Sequence, residues 1–257
     1  MTSAQFLQPG RLPIRFRRTI IVSLLMVGLL MSCETQKLQS PDFLKAPYRT
    51  AQLWAVAPFN NESGSSLVET YRIADLFTEQ VQQVEGLNAL PVNRVIVAMR
   101  QLELESITTP EDAGTLLRLL GVDGLIVGTI SSYDAYPPPK MGVALQLYHR
   151  NEDGSYSDLD PRALTKAPTD DPPMHFVSIQ TPQAQAAGVF DASNHQTLMW
   201  LEQYTTGRTE PDSAFGDEAY LVSMELFTEF VSYRLIHDLL EFEQHRIQPS
   251  ETQEPVR

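Results

Sequence analysis

The sequence predicts a single α/β domain with a mixed β-sheet and flanking helices. Short apolar runs alternate with patterns of helical period along the chain, which favours strands joined by crossover helices. Further strand patterns follow towards the end with no helix between them, which adds antiparallel strands. The length of 257 residues and the hydrophobic share of 42% suit one ordinary core.

The composition excludes several classes of function. The net charge of -13 argues against a nucleic-acid partner, because phosphate contacts need clustered lysines and arginines. The chain has 1 cysteine, which cannot form an internal disulfide or a multi-cysteine metal centre. We therefore expect no cofactor of that kind.

The first 32 residues have the pattern of a secretory signal peptide. Arg11, Arg15, Arg17 and Arg18 precede an uncharged apolar run over residues 19–31, and no acidic residue lies in this part. The run is shorter than the ~20 residues that a membrane-spanning helix needs. The pair Arg17-Arg18 also resembles a twin-arginine signal.

The end of this run carries the cysteine. Residues 30–33 read Leu-Met-Ser-Cys, which resembles the lipobox of bacterial lipoproteins. The resemblance implies lipid attachment to Cys33, cleavage after Ser32 and, with Glu34 following, an outer-membrane anchor that faces the periplasm. Cleavage would remove four arginines and shift the net charge from -13 to -17. The alternative is an uncleaved signal anchor with an incidental cysteine.

The rest of the chain divides into three parts. Residues 33–50 lack periodicity and are interpreted as a lipidated tether. Residues 51–247 form the predicted periplasmic α/β domain. The polar residues 248–257 form a tail that we expect to be disordered.

The first predicted elements are a buried strand and an amphipathic helix. The strand covers residues 53–59 and ends in the polar turn 60–64, after which Ser65 or Ser66 can cap the helix. Gly86 is placed to end the helix. Its apolar positions recur every three or four residues: Leu67, Tyr71, Ala74, Phe77, Val81 and Val84.

A second strand and two helices are predicted next. Residues 87–92 suit a strand and residues 93–104 a short helix capped by Asn93. Thr109 and Pro110 mark a strong helix start, since threonine caps the N-terminus and proline fits the first position. This helix is expected to end at Gly121.

The second half of the chain begins with two strand patterns, over residues 122–130 and 142–148, separated by Pro137–Pro139. Residues 149–183 are rich in aspartate and proline and predict an irregular surface insertion, with one short strand over residues 175–179.

The final part predicts two strands and a long helix. Residues 184–190 and 198–204 suit a strand pair joined by the turn 191–195. A loop over residues 207–216 precedes a helix from Asp217 to about His245.

Four segments resemble the CsgG/LpoB/TolB N-terminal family of periplasmic lipoprotein domains. They are Val-Ala-Pro-Phe-Asn-Asn-Glu-Ser-Gly at 56–64, the helix at 73–81, Leu-Leu-Gly-Val-Asp-Gly-Leu-Ile-Val-Gly-Thr-Ile at 119–130, and residues 189–194. The resemblance implies an anticodon-binding-like fold, a periplasmic location and envelope proteins as partners. The chain lacks the alternating membrane hairpins of a CsgG pore.

Catalytic and metal-binding motifs are missing from the sequence, so we expect neither an enzyme nor a metal site. It contains no Gly-x-Ser-x-Gly, His-Glu-x-x-His or phosphate-binding glycine loop, and its 5 histidines have no metal spacing. Three polar segments have an alternative interpretation as ligand-binding or catalytic sites. The turn 191–195 could be an acid–base or calcium site, the turn 60–64 could hold an anion, and Asp158, Asp160, Asp170 and Asp171 could bind calcium. Structural turns and a solvated loop explain them as well.

The candidate partner surface is the loop after residues 122–130. It carries Tyr133, Tyr136, Pro137, Pro138 and Pro139, and exposed aromatic and proline side chains are typical of interaction surfaces. Local packing is the alternative. The predicted function is a lipid-anchored protein-interaction factor that assembles or regulates an envelope system. An oligomeric subunit of an envelope complex, or an enzyme acting on envelope polymers, are the competing hypotheses.

Overall fold

The computed structural model describes residues 42–150, 182–209 and 215–247, and these form a 6-stranded mixed sheet with helices on both faces. The predicted fold class is confirmed. In chain order the elements are β1 (Gln52–Val56), β2 (Asn60–Asn61), α1 (Thr70–Gln82), β3 (Leu87–Leu90), α2 (Val92–Gln101), α3 (Pro110–Leu120), β4 (Gly124–Asp134), β5 (Lys140–His149), β6 (Ala184–Asp191), α4 (His195–Thr205), α5 (Ala219–Val222) and α6 (Met224–Ile247).

The sheet has a parallel half and an antiparallel half. Its strands lie in the order β3-β1-β4-β5-β6. β1 pairs in parallel with β3 and β4, and β2 continues along β4 after an interruption at Pro58 and Phe59. The strands β4, β5 and β6 form antiparallel pairs. Helical crossovers join the parallel strands, as such connections require.

Each face of the sheet carries its own core. Side chains alternate along β1, so Trp54 and Val56 enter one core while Ala55 and Ala57 enter the other. The larger core lies under α1, α4 and α6, and the smaller core lies under α2 and α3. The sheet is therefore covered on both faces over its parallel half.

Two aromatic residues lie against glycines of β4. A Cβ added at Gly124 would approach Trp54 Nε1 to 2.7 Å, and one added at Gly128 would approach Phe59 Cζ to 2.6 Å. Phe59 also packs on Phe77, with ring centroids 4.8 Å apart. These contacts give a physical reason for the Pro-Phe and Val-x-Gly segments, because the aromatic rings occupy the space of the missing side chains.

One predicted strand is wrong. Residues 198–204 lie in α4, and the turn 191–195 joins a strand to a helix rather than two strands. Asn194 caps the helix by accepting a hydrogen bond of 2.8 Å from the N–H of Gln196. The buried residues Thr197, Leu201 and Tyr204 follow the helical period, which decides against a strand.

The predicted helices also change at their ends. α1 begins at Thr70 with no side-chain cap, so Ser65 and Ser66 do not cap it, and Leu67 and Tyr71 are exposed. α3 begins as predicted, because Thr109 and Asp112 form a capping box. The last predicted helix is broken at Ser223, which separates α5 from α6.

Residues of the folded domain lie beyond two of its predicted boundaries, at the end of the tether and at the start of the insertion. Leu44 and Ala46 are buried, and Ala46 N–H and Leu44 C=O form hydrogen bonds of 2.9 Å with the backbone of Glu85. We call residues 42–48 the strap; it belongs to the domain, so placing the end of the tether at residue 50 was wrong. His149 is the buried last residue of β5, so the insertion does not begin there.

Several sequence predictions lie outside the described residues. They concern the signal peptide over residues 1–32, Cys33, residues 151–181 with the short strand at 175–179 and the four aspartates, and the tail over residues 248–257. Among the helices that are described, none combines the length and the apolar character needed to span a membrane.

Candidate functional site

The predicted partner surface lies at the tip of the β4–β5 hairpin. The register of the two strands shifts between Ile130 and Ser132, as it does at a β-bulge. At the end of β4, Asp134 Oδ1 accepts a hydrogen bond of 3.1 Å from the N–H of Tyr136. Tyr136 follows this turn and is exposed.

The structure separates the five residues of this surface into two groups. Tyr133 is half-buried against the larger core, where burial and the nearby carboxylate of Glu69 raise its phenol pKa. Pro139 is buried. By contrast, Tyr136 is 74% exposed, and Pro137 and Pro138 are also exposed. Local packing thus accounts for two of the residues, while three remain available to a partner.

The turn 191–195 lies directly beside the hairpin tip. Lys140 Nζ is 3.3 Å from Asp191 Oδ2, and the N–H of Ala192 donates a hydrogen bond of 3.0 Å to the C=O of Pro139. The structure therefore brings together two segments that the sequence singled out separately.

The carboxylate of Asp191 has a structural role in this turn. Its Oδ1 accepts hydrogen bonds of 2.5 Å from the hydroxyl and 2.9 Å from the N–H of Ser193. These bonds, together with Lys140, lower the pKa of Asp191. The turn 60–64 likewise closes on itself through Asn61 and Ser63, and it does not lie at the start of α1.

A cluster of polar side chains around the buried residues His149 and Glu243, which the sequence did not suggest, joins the strap to β5 and α6. Tyr48 is half-buried at its edge and Arg246 is exposed. Tyr48 Oη donates a hydrogen bond of 2.8 Å to Glu243 Oε2 and lies 2.9 Å from His149 Nε2. His149 Nε2 is 3.0 Å from the same carboxylate oxygen, and Arg246 binds both oxygens of Glu243 at 2.9 and 2.8 Å. We call these four residues the buried polar cluster.

The electrostatics of this cluster favour an ionised Glu243. Its side chain is 0% exposed, and burial alone would raise its pKa. Hydrogen bonds from His149, Arg246 and Tyr48 outweigh burial and lower the pKa of Glu243 to about 2. The side chains of His149 and Glu243 are 7% and 0% exposed, so their contacts join three elements inside the domain. We call this arrangement a structural junction.

Sequence patterns had no means of finding this junction. Tyr48 lies 101 residues from His149 and 195 residues from Glu243 along the chain.

The surroundings of the junction explain another sequence segment. Asp123 Oδ2 accepts a hydrogen bond of 2.9 Å from the N–H of Leu53, and its C=O lies 3.2 Å from His149 Nδ1. Asp123 thus connects β1 to the end of β5, which is the role of the aspartate in the Leu-Gly-Val-Asp-Gly segment.

The fold is similar to that of the LpoB C-terminal domain. The domain from Salmonella enterica matches 45% of this chain and 80% of its own length, with 19% identity and a TM-score of 0.32. Lipoprotein GNA1162 from Neisseria meningitidis matches 44% of this chain and 93% of its own, with 17% identity and a TM-score of 0.33. The hypothetical protein CT253 from Chlamydia trachomatis covers 78% and 100%, with 10% identity and a TM-score of 0.35.

These likenesses concern the arrangement of sheet and helices only. The sequence matches no protein-family model and no curated protein.

One group of side chains on α6 has the composition of a metal site. His237, Asp238 and Glu241 place one ligand atom each within 4.8 Å of the others. Asp238 is already paired with Arg234, whose Nη2 is 2.8 Å from Oδ1. A cation would have to compete with that ion pair at a solvent-exposed position. We therefore do not propose that these residues bind a metal.

Proposed function

We propose that this chain is a lipid-anchored periplasmic protein that binds another envelope protein through the hairpin tip and acts as an assembly or regulatory factor at the outer membrane. The lipobox-like residues 30–33 supply the anchor at Cys33. Several acyl chains on one cysteine would hold the domain stably at the membrane. The side chains of His149 and Glu243 in the buried polar cluster are 7% and 0% exposed, which favours a structural role for them over catalysis.

The exposure of the hairpin tip carries this proposal. Tyr136 is 74% exposed although its ring is large and apolar, and Pro137 and Pro138 extend the surface beside it. Tyrosine is enriched among residues that dominate binding energy. Contacts of Pro139 and Lys140 with the turn 191–195 hold the tip in place. A preorganised tip loses little conformational entropy on binding.

The binding test compares Tyr136→Ala with Val97→Ala in the full chain. Val97 is 51% exposed on α2, the helix that covers the smaller core, and serves as the matched control. The partner protein is cross-linked to the chain and recovered from envelope extracts. We expect Tyr136→Ala to reduce the recovered amount about tenfold, as for a residue that dominates binding. Equal recovery with both variants would contradict the proposal.

The anchoring test uses radiolabelled palmitate. We expect the wild type to incorporate label and Cys33→Ala to lose it, because the thiol is the site of lipid attachment. A wild type without label would remove the anchor and the membrane location together, while leaving the hairpin tip as a binding surface.

A second candidate function is an oligomeric subunit, and the edge of the sheet favours it. β6 is the last strand of the described sheet, and residues 184–190 contain no charged side chain and no proline. Val189 on this strand is 62% exposed. Uncharged edge strands readily pair with a strand from another chain.

Light scattering on the delipidated protein tests this candidate. A wild-type oligomer that becomes monomeric in Val189→Lys would support an oligomeric subunit formed through β6, because a charged side chain blocks edge pairing. A wild-type monomer at high concentration would exclude it.

A further inference from the structure

A second apolar surface lies where α1 begins and α5 meets α6. Leu67 is 55%, Tyr71 57% and Val222 62% exposed. Val68, Leu221 and Met224, their neighbours in the chain, are half-buried and pack against the larger core. An ion pair between Arg72 and Glu225 joins the first turns of α1 and α6. Exposed apolar side chains therefore lie within a few residues of this ion pair on both sides of it.

Acidic side chains border this surface. Asp75 and Glu79 are exposed on α1, and Glu225 is exposed on α6. Glu229, one turn further along α6, is half-buried. Burial and the charges of Glu225 and Glu79 raise the pKa of Glu229, and only Arg72 opposes them. We call the three apolar residues Leu67, Tyr71 and Val222, with Asp75, Glu79, Glu225 and Glu229, the α1–α6 surface.

Burial and acidic neighbours disfavour the ionised form of Glu229. Within the described part of the chain, no hydrogen bond or ion pair of its carboxylate is found. Arg72 is already paired with Glu225. The ionised form of a half-buried carboxylate with two acidic neighbours and no cation of its own is destabilised by repulsion and burial. A positive charge from a partner would reduce this destabilisation.

We propose that the α1–α6 surface binds a protein segment that presents a lysine or arginine beside an apolar side chain. The apolar side chain covers Tyr71 and Val222, and the cation approaches Glu79 and Glu229. This inference rests on the proposed function, since it names the chemistry of an envelope protein partner. It adds a second contact surface to the hairpin tip.

The charges also select against other occupants. Two copies of this chain placed face to face would bring the same carboxylates together, which opposes a symmetric dimer here. An anionic lipid surface would be repelled in the same way. The charge pattern therefore favours a basic protein segment.

Site-specific photo-cross-linking tests the proposal in the lipidated full chain within cells. A benzophenone amino acid replaces Tyr71, Tyr136 or, as the control, Val97. We expect adducts from Tyr71 that mass spectrometry maps to a partner segment containing lysine or arginine next to apolar residues. Adducts to an acidic segment, to a second copy of this chain, or with equal yield from Val97 would overturn the proposal.

Charge removal separates binding from folding. Glu79→Gln and Glu229→Gln should each lower the adduct yield at Tyr71 about threefold, the size expected for one partly exposed ion pair. Glu229→Gln should also leave the melting temperature of the free protein unchanged or higher, because it removes repulsion. Unchanged adduct yields in both variants would contradict the role of the carboxylates.

The two proposals can fail separately. Adducts from Tyr136 without adducts from Tyr71 would refute the α1–α6 surface and leave the hairpin tip intact. The absence of adducts at both positions would contradict the proposed function itself.

Discussion

Glu243 on the last helix accepts a hydrogen bond of 2.8 Å from Tyr48 in the strap, across 195 residues of sequence. The same carboxylate contacts His149 and Arg246, so the strap, β5 and α6 meet at one fully buried side chain.

Removing the charge of Glu243 should destabilise the protein. We expect Glu243→Gln to reduce the free energy of unfolding by about 3 kcal/mol, because a buried ion pair loses one partner. Urea unfolding at neutral pH measures this difference. Glu241→Gln, at an exposed position on the same helix, is the control and should change stability little. Equal effects of the two substitutions would show that the cluster is not a stabilising junction.

The buried polar cluster should also make the free energy of unfolding depend on pH in the acid range. The pKa of Glu243 falls from 4.5 to about 2 on folding, so its contribution is fully present above pH 4.5 and is lost as pH falls towards 2. The contribution is about 3 kcal/mol, of which about 2 kcal/mol should be lost by pH 3. The difference in stability between wild type and Glu243→Gln should narrow accordingly. A constant difference from pH 6 to pH 3 would contradict the lowered pKa.

A side chain at Gly128 should disrupt packing between β4 and the segment after β1. A Cβ there would lie 2.6 Å from Phe59 Cζ, so Gly128→Ala should cost about 2 kcal/mol through overpacking. Thermal or urea unfolding measures this cost. In a Phe59→Leu background the added methyl group meets a smaller side chain, so the same substitution should cost less. An equal cost in both backgrounds would argue against a direct contact.

Arg208 should hold the start of the strap. Its guanidinium lies 4.4 Å from the ring centroid of Tyr204 and 4.7 Å from that of Tyr233, and Nη2 donates a hydrogen bond of 2.8 Å to the C=O of Asp42. Arg208→Ala removes these interactions, which together are worth on the order of 1–2 kcal/mol. Amide hydrogen exchange at Ala46 should then become roughly tenfold faster.

A matched control exists for Arg208 on the other side of the sheet. Arg118 is exposed on α3, where its Nη2 donates to the hydroxyl of Thr115. Arg118→Ala should leave exchange at Ala46 unchanged. If exchange at Ala46 is the same in both variants, Arg208 does not secure the strap.

Much of the fold follows from local sequence signals. Thr109, Pro110 and Gly121 set both ends of α3, because a capping box and a left-handed glycine depend on neighbouring residues alone. The strands β1, β4, β5 and β6 were also predicted close to their observed places, since their apolar runs are bounded by turn residues. These local signals are sufficient to predict the α/β fold class.

Other elements depended on contacts between distant parts of the chain. Residues 198–204 contain both a strand-like and a helix-like apolar pattern, and α4 forms because Leu201 and Tyr204 enter the core beside α6. The strap lacks any periodicity, yet Leu44 and Ala46 are buried through pairing with Glu85. Propensity is a weak guide where such tertiary contacts decide the conformation.

The candidate site shows the same division. The lipobox-like cysteine, the acidic charge and the loop rich in tyrosine and proline can be recognised from composition and from residues close in the chain. The inward packing of Tyr133 and Pro139, the exposure of Tyr136 and the contacts among Tyr48, His149 and Glu243 depend on the folded arrangement of the chain. The physical reason is that burial and ion pairing are set by three-dimensional neighbours, which here lie up to 195 residues apart.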